Sequence, residues 1–183
     1  MAFSAFPNLS GDTGGTLGRA GEAAVAGNTV VVKDLFEMLR KFSKASPQFN
    51  KEIKKVAYTI AKDLQGSVRI EAGSVSRASQ AIQVAKGLRA KNDRIPTISL
   101  RGKEPFISKS RPNSRRKKPV TRSDVFFGAE FGGGATPKTK QFLRHRGQSG
   151  YFFWPTVRKR KNEIAKQYLE GMDRVVKELG IPG

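Results

Sequence analysis

Residues 46–68 read SPQFNKEIKKVAYTIAKDLQGSV. Phe49, Ile53, Val56, Ala57, Ile60, Ala61 and Leu64 recur at steps of three and four, which draws one apolar stripe along a helix. Lys51, Lys54, Lys55 and Lys62 fall mostly off that stripe. Ser46 is a capping residue type, and Pro47 suits a first helical turn, where its missing N–H costs nothing. The pattern predicts a helix over 47–68.

On the N-terminal side, Asp34 opens a shorter helix in which Leu35, Leu39 and Phe42 fall at i, i+4 and i+7. Val30-Val31-Val32 is a β-branched run that reads as an edge strand. On the C-terminal side, Val75, Ala78, Ile82, Ala85 and Leu88 trace a weaker periodicity and predict a helix over 74–91. Pro96 breaks it, and Ile95 to Leu100 alternates like a strand. Ser123 to Phe131, SDVFFGAEF, reads as a second strand closed by Gly132-Gly133-Gly134. Pro155 opens a long helix over 155–179 with Val157, Ile164, Tyr168, Met172, Val175 and Leu179 on one stripe, ended by Gly180 and Pro182. Helices, then strands, then a helix make an α+β fold: N-terminal helices, a small mostly antiparallel sheet and a long C-terminal amphipathic helix. Residues 31–183 are expected to form a single domain. Residues 1–30, rich in Gly, Ala, Ser and Thr, bury too little apolar area to offset their ordering entropy and are expected to be a flexible arm.

The chain has 183 residues, no cysteine and a formal charge of +20. Lacking cysteine, it has no disulfides, no thiolate chemistry and no cysteine zinc site. No apolar run approaches the ~20 residues of a membrane-spanning helix, and no secretory signal is read. The charge is clustered. Residues 101–122 hold nine Lys/Arg against one acid, and residues 138–161 hold eight against none. An excess of this size calls for a polyanionic counterpart.

Catalytic signals are weak. His145, the one histidine, sits between Arg144 and Arg146, in a field that disfavours imidazolium and repels cations, and reads as a surface residue. Glu130 has no carboxylate partner in the pattern, and paired carboxylates are the minimum for general acid–base work. Gly132-Gly133-Gly134 is followed by no Lys-Ser/Thr and reads as a turn rather than a phosphate loop. The chain is read as not an enzyme. A toxin-like ribonuclease would need His145 or a carboxylate pair.

Two motif blocks remain. A basic loop at about 102–122 carries Arg111, Arg115, Arg116, Lys117 and Lys118. Further on, Arg144, Arg146 and the run Arg158-Lys159-Arg160-Lys161 are separated by Tyr151-Phe152-Phe153-Trp154-Pro155. The positive end of a helix disfavours cations, so four of them after Pro155 argue for an acidic counter-surface, protein or DNA. The aromatic run is read as core and subunit interface before it is read as a base-stacking platform. Strand-like alternation would send Phe152 and Trp154 one way and Tyr151 and Phe153 the other. Phe126, Phe127 and Phe131, with Glu130, complete this set of core or interface anchors.

In order, VAYTIAKDLQGSVRIEA, FFGAEFGGG and QFLRHRGQSGYFFWPTVRKRK, followed by an amphipathic helix, resemble the tail-component (tail-completion, or neck) proteins of long-tailed bacteriophages. Gly128, Glu130, Phe131 and Gly132 match a strand end in that family. Phe142, Arg146, Gly147, Gly150, Tyr151, Phe153 and Pro155 match its Phe-bearing loop, aromatic stretch and helix start. The resemblance covers roughly residues 30–180. It implies a structural virion protein of the head–tail connection, assembled in the host cytoplasm as an oligomeric and commonly hexameric ring around the DNA channel. Its implied partners are head-closure (stopper) proteins and tail-terminator or tail-tube proteins, with channel DNA a further contact. It implies no catalysis, cofactor, metal or membrane. The arm 1–30 and the basic insertion depart from the simplest family members. The other function left open is a basic nucleic-acid-binding module.

Overall fold

The computed structural model describes residues 2–4, 24–26, 29–31, 35–75, 79–104, 120–133 and 142–181. The fold is α+β. Helices α1 (Leu35–Ala45) and α2 (Pro47–Ser74) come first, then α3 (Ser79–Lys86), α4 (Arg122–Phe131) and α5 (Phe153–Glu178). Strands β1 (Ala2–Ser4), β5 (Thr97–Leu100) and β4 (Leu88–Lys91) form one antiparallel sheet in the order β1-β5-β4. A separate antiparallel pair joins β2 (Ala24–Ala26) to β3 (Thr29–Val31). The edge strand expected at Val30–Val32 is thus β3, with Val32 outside the described residues. Of the arm 1–30, β1, β2 and the first two residues of β3 are described and the remainder lies outside.

α2 starts at the expected residue. Ser46 is in extended conformation at the N-cap and Pro47 stands in the first turn, although the Ser46 side chain makes no capping bond. The helix continues past Val68 to Ser74, so its 28 residues reach about 42 Å at 1.5 Å each. Its stripe Phe49, Ile53, Ala57, Ile60, Leu64, Val68 and Ala72 is buried. α5 lies along it and buries Phe153, Ile164, Tyr168, Met172 and Val175. The two helices approach closely where Gly171 faces Val56, whose Cγ1 occupies the space a Cβ at 171 would need. Tyr168 is fully buried, and its hydroxyl donates to the Arg94 carbonyl at 2.5 Å. Burial pushes this phenol's pKa up. α5 ends in a Schellman motif. Gly180 at φ 59° donates to Lys177 O (3.2 Å), and Ile181 donates to Val176 O (3.1 Å).

Three expectations are corrected. SDVFFGAEF is a helix, not a strand. Thr121 and Asp124 form a reciprocal capping box, with Thr121 N–H donating to Asp124 Oδ2 at 2.9 Å. Val125, Phe126, Ala129 and Glu130 then turn to the core, spaced as a helix face. The helix expected over 74–91 is shorter. It ends at Lys86, and Leu88–Lys91 turns into β4, which pairs with Thr97–Leu100. Beyond β5, Arg122 N–H donates to Glu104 O (3.1 Å) and Ser123 N–H to Gly102 O (3.1 Å), which joins the two ends of the basic insertion. The third correction concerns the aromatic run. Phe152 and Phe153 are both buried, and Tyr151 and Trp154 both half-buried, because the chain enters α5 at Phe153 rather than alternating as a strand.

Candidate functional site

The junction between α4 and α5 gathers most of the singled-out residues. Glu130, near the end of α4, is fully buried. Its carboxylate accepts three backbone N–H groups at the start of α5: Phe152 (3.3 Å) and Phe153 (2.8 Å) on Oε2, and Trp154 (2.9 Å) on Oε1. These are donors that a helix start leaves without intrahelical partners, and a carboxylate there also meets the positive end of the helix dipole. Burial raises the Glu130 pKa, and the N–H bonds from Phe153, Trp154 and Phe152 partly offset that rise.

Glycines let this latch close. Gly150 has φ 73° and ψ 175°, a region essentially reserved for glycine, and a Cβ there would strike Glu130 Oε1. Gly132, at φ 85°, lies against the Arg144 carbonyl. Gly128 lies under Phe142, whose ring would be 2.5 Å from a Cβ. Gly133 N–H to Leu143 O (2.8 Å) and Arg146 N–H to Phe131 O (2.9 Å) tie loop 142–146 to the end of α4. Tyr151 closes the loop, its hydroxyl donating to Arg144 O at 2.5 Å while the Arg146 guanidinium lies 4.9 Å from its ring centre.

The aromatic anchors divide into two sets. Phe126, Phe152 and Phe153 are core, with Phe126 and Phe153 edge to face at 5.8 Å. Phe127 faces outward, 51% exposed, and stacks on half-buried Phe131 at 6.2 Å with the ring planes 15° apart. Pro155 is half-buried in the first turn of α5.

The cations divide as well. Arg158 folds back on the 3-10 turn Gly147–Ser149, donating to Gln148 O (3.2 Å) and to Ser149 O. Arg160 is committed inside the fold. It bonds Asp63 (2.6 Å) and Ser67 (2.5 Å) of α2 and Glu163 (3.0 Å) of α5, and the bonds to Glu163 and Asp63 raise its pKa. Part of the counter-charge the sequence called for is therefore internal: Glu130 at the helix start, then Asp63 and Glu163. Lys159, Arg144 and Arg146 are exposed and Lys161 is half-buried. Arg111, Arg115, Arg116, Lys117 and Lys118 lie outside the described residues. His145 is exposed, and the described residues contain no group of three His, Cys, Asp or Glu that could hold a metal ion. No described helix is long and apolar enough to cross a membrane.

Sequence reading missed a groove of about 460 Å³ between α2 and α5, lined by Ser67, Ile70 and Glu71 on one side and Pro155, Lys159 and Glu163 on the other. Ile70 is 77% exposed. Its signal was present: the apolar stripe passes through Leu64, Val68 and Ala72, and Ile70 falls off it between Arg69 and Glu71. No family model matches the chain, and no curated protein or solved structure matches it.

Proposed function

We propose that the protein is a structural subunit of a bacteriophage head–tail connection, assembling as a ring around the DNA channel between the head-closure proteins and the tail. One observation carries this reading. The motif residues that resemble the neck family lie in two blocks, 128–132 and 142–155, that meet in one latch in which Glu130 holds the N–H groups of Phe152, Phe153 and Trp154, 22 to 24 positions away. The acid at the centre of the motif is thus occupied in positioning a helix. What the latch leaves outward is a stacked Phe127–Phe131 pair beside Arg144 and Arg146, a surface suited to another protein. Light scattering of the purified chain combined with electron microscopy tests the reading. A closed ring at micromolar concentration is expected. A monomer that also fails to join tails or head-closure proteins would end it.

A second reading, a nucleic-acid-binding module, is favoured by the outer face of α2. There Lys51, Lys55 and Lys62 are exposed along one side, with Lys62 5.9 Å from the Tyr58 ring centre. Non-specific binding of this kind would lose about a thousandfold or more of its DNA affinity between 50 and 200 mM salt. A neck subunit binds free DNA weakly at both.

A further inference from the structure

Lys51, Lys55, Tyr58 and Lys62 stand at i, i+4, i+7 and i+11 of α2, which puts all four on one face of the helix. Each of them is exposed. The other side of the helix, with Phe49, Ile53, Ala57, Ile60 and Leu64, is buried in the core. At 1.5 Å per residue the exposed stripe is about 16 Å long.

The acids beside the stripe are already engaged. Glu52 accepts from Lys55 at 2.9 and 3.0 Å and from Gln48 at 3.2 Å, which leaves Lys55 a third donor. Asp63 is held by Arg160 of α5 at 2.6 Å. Among the described residues Lys51 and Lys62 form no ion pair. Toward the N-terminus, residues 38–51 contain no acid. The stripe is therefore a row of cations that the fold does not compensate.

Its composition discriminates among polyanions. A membrane surface takes up a helix through its apolar side, and that side of α2 is spent on the core. An acidic protein is gripped around a desolvated aromatic or apolar anchor, and a single strand through bare rings on which bases stack. The one ring on this face is Tyr58, and Lys62 Nζ already lies over it, 5.9 Å from its centre. A duplex backbone needs neither an anchor nor a bare ring. It offers one phosphate per ~3.4 Å of axis along each strand, so a stripe of about 16 Å runs past about five. Ammonium groups and a phenol hydroxyl are donors suited to phosphate oxygens.

We infer that the outer face of α2 binds the phosphate backbone of double-stranded nucleic acid without reading its sequence, through Lys51, Lys55, Lys62 and the Tyr58 hydroxyl. The inference rests on the nucleic-acid reading above and deepens it by naming the form of nucleic acid and the contacts.

The experiment titrates the full chain against a fluorescent duplex, and against one of its strands alone, between 50 and 200 mM salt. Each phosphate contact adds about 0.9 to the slope of log affinity against log salt, so three lysines supply about 2.7, roughly a 40-fold loss over that range. Lys51→Gln/Lys55→Gln/Lys62→Gln should lower the slope by that amount and weaken duplex binding at 50 mM at least 10-fold. The three side chains are exposed, so its circular dichroism should match the wild type. Arginine at the same three positions should restore both affinity and slope. Lys166→Gln/Lys177→Gln removes two charges that Glu170 and Asp173 hold on α5, and should leave the slope unchanged. A triple glutamine variant that keeps the wild-type slope would overturn the inference and leave the nucleic-acid reading standing. So would a loss per charge as large in the Lys166/Lys177 variant, which would reduce the effect to net charge. A wild type that prefers the single strand 10-fold would overturn the assignment to a duplex. A wild type that binds neither form at 50 mM would remove the nucleic-acid reading together with the inference.

Discussion

Replacing Glu130 by alanine should be among the most destabilising single changes in the described core. The substitution leaves three N–H groups at the start of α5 without their acceptor, two of them on fully buried residues. Orphaned buried donors cost about 1–2 kcal/mol each, roughly 3–6 in sum. The alanine chain no longer buries a carboxylate, which subtracts from that sum, so a net loss of about 2–4 kcal/mol is expected. At a urea slope of about 2 kcal/mol per molar, the midpoint should fall by about 1–2 M, measured at one fixed protein concentration. Glu130→Gln is the sharper partner. It keeps the volume but puts an NH2 group where one carboxylate oxygen accepted, so it should lose about half as much. The pH dependence separates the two causes. Glu130 titrates above its ordinary value near 4.5 because it is buried, so the folded chain holds the proton more tightly than the unfolded chain. That stabilisation is complete below the unfolded value and is lost as pH rises through the folded one. The advantage of wild type over Glu130→Gln should therefore narrow as pH rises through that window. An alanine variant within about 0.5 kcal/mol of wild type would refute the latch, whereas a gap that widens with pH would show the N–H bonds outweighing burial at this carboxylate.

Other substitutions carry distinct expectations. Gly150→Ala adds backbone strain and a clash with Glu130 Oε1 and should cost about 3 kcal/mol or more, whereas Gly147→Ala, at φ 58° with open space around it, should cost about 1–2; thermal melts compare them. Gly171→Ala forces a methyl into Val56 Cγ1 and should cost about 1–3 kcal/mol, most of it recovered by adding Val56→Ala in a double-mutant cycle. Tyr168→Phe removes the bond to Arg94 O and should cost about 1–2 kcal/mol in urea titration. Arg160→Ala should lower stability by about 1 kcal/mol in low salt and less in high salt, while Lys159→Ala leaves it unchanged.

The elements that were legible in the sequence are those whose local signals agree with their packing. α2 and α5 show long three-four stripes, a proline in the first turn, and Gly180 at the C-terminal end of α5. α4 was misread because Val125, Phe126, Phe127 and Phe131 are strand-prone types, which outweighed the helical spacing of Val125, Phe126, Ala129 and Glu130. The readable clue was the Thr121–Asp124 capping box. The placement of Phe152 and Phe153 depends on Glu130, twenty-two and twenty-three positions upstream, and no local pattern carries such a dependence. The split of the cations was hidden for the same reason. Arg160 differs from Lys159 only in facing α2, where Asp63 and Ser67 wait.

The chain's place in an intact particle tests the whole account most directly. Quantitative mass spectrometry of purified virions, read with a reconstruction of their neck, is predicted to find a fixed ring of copies at the head–tail junction. Purified particles that contain none of this chain would contradict it.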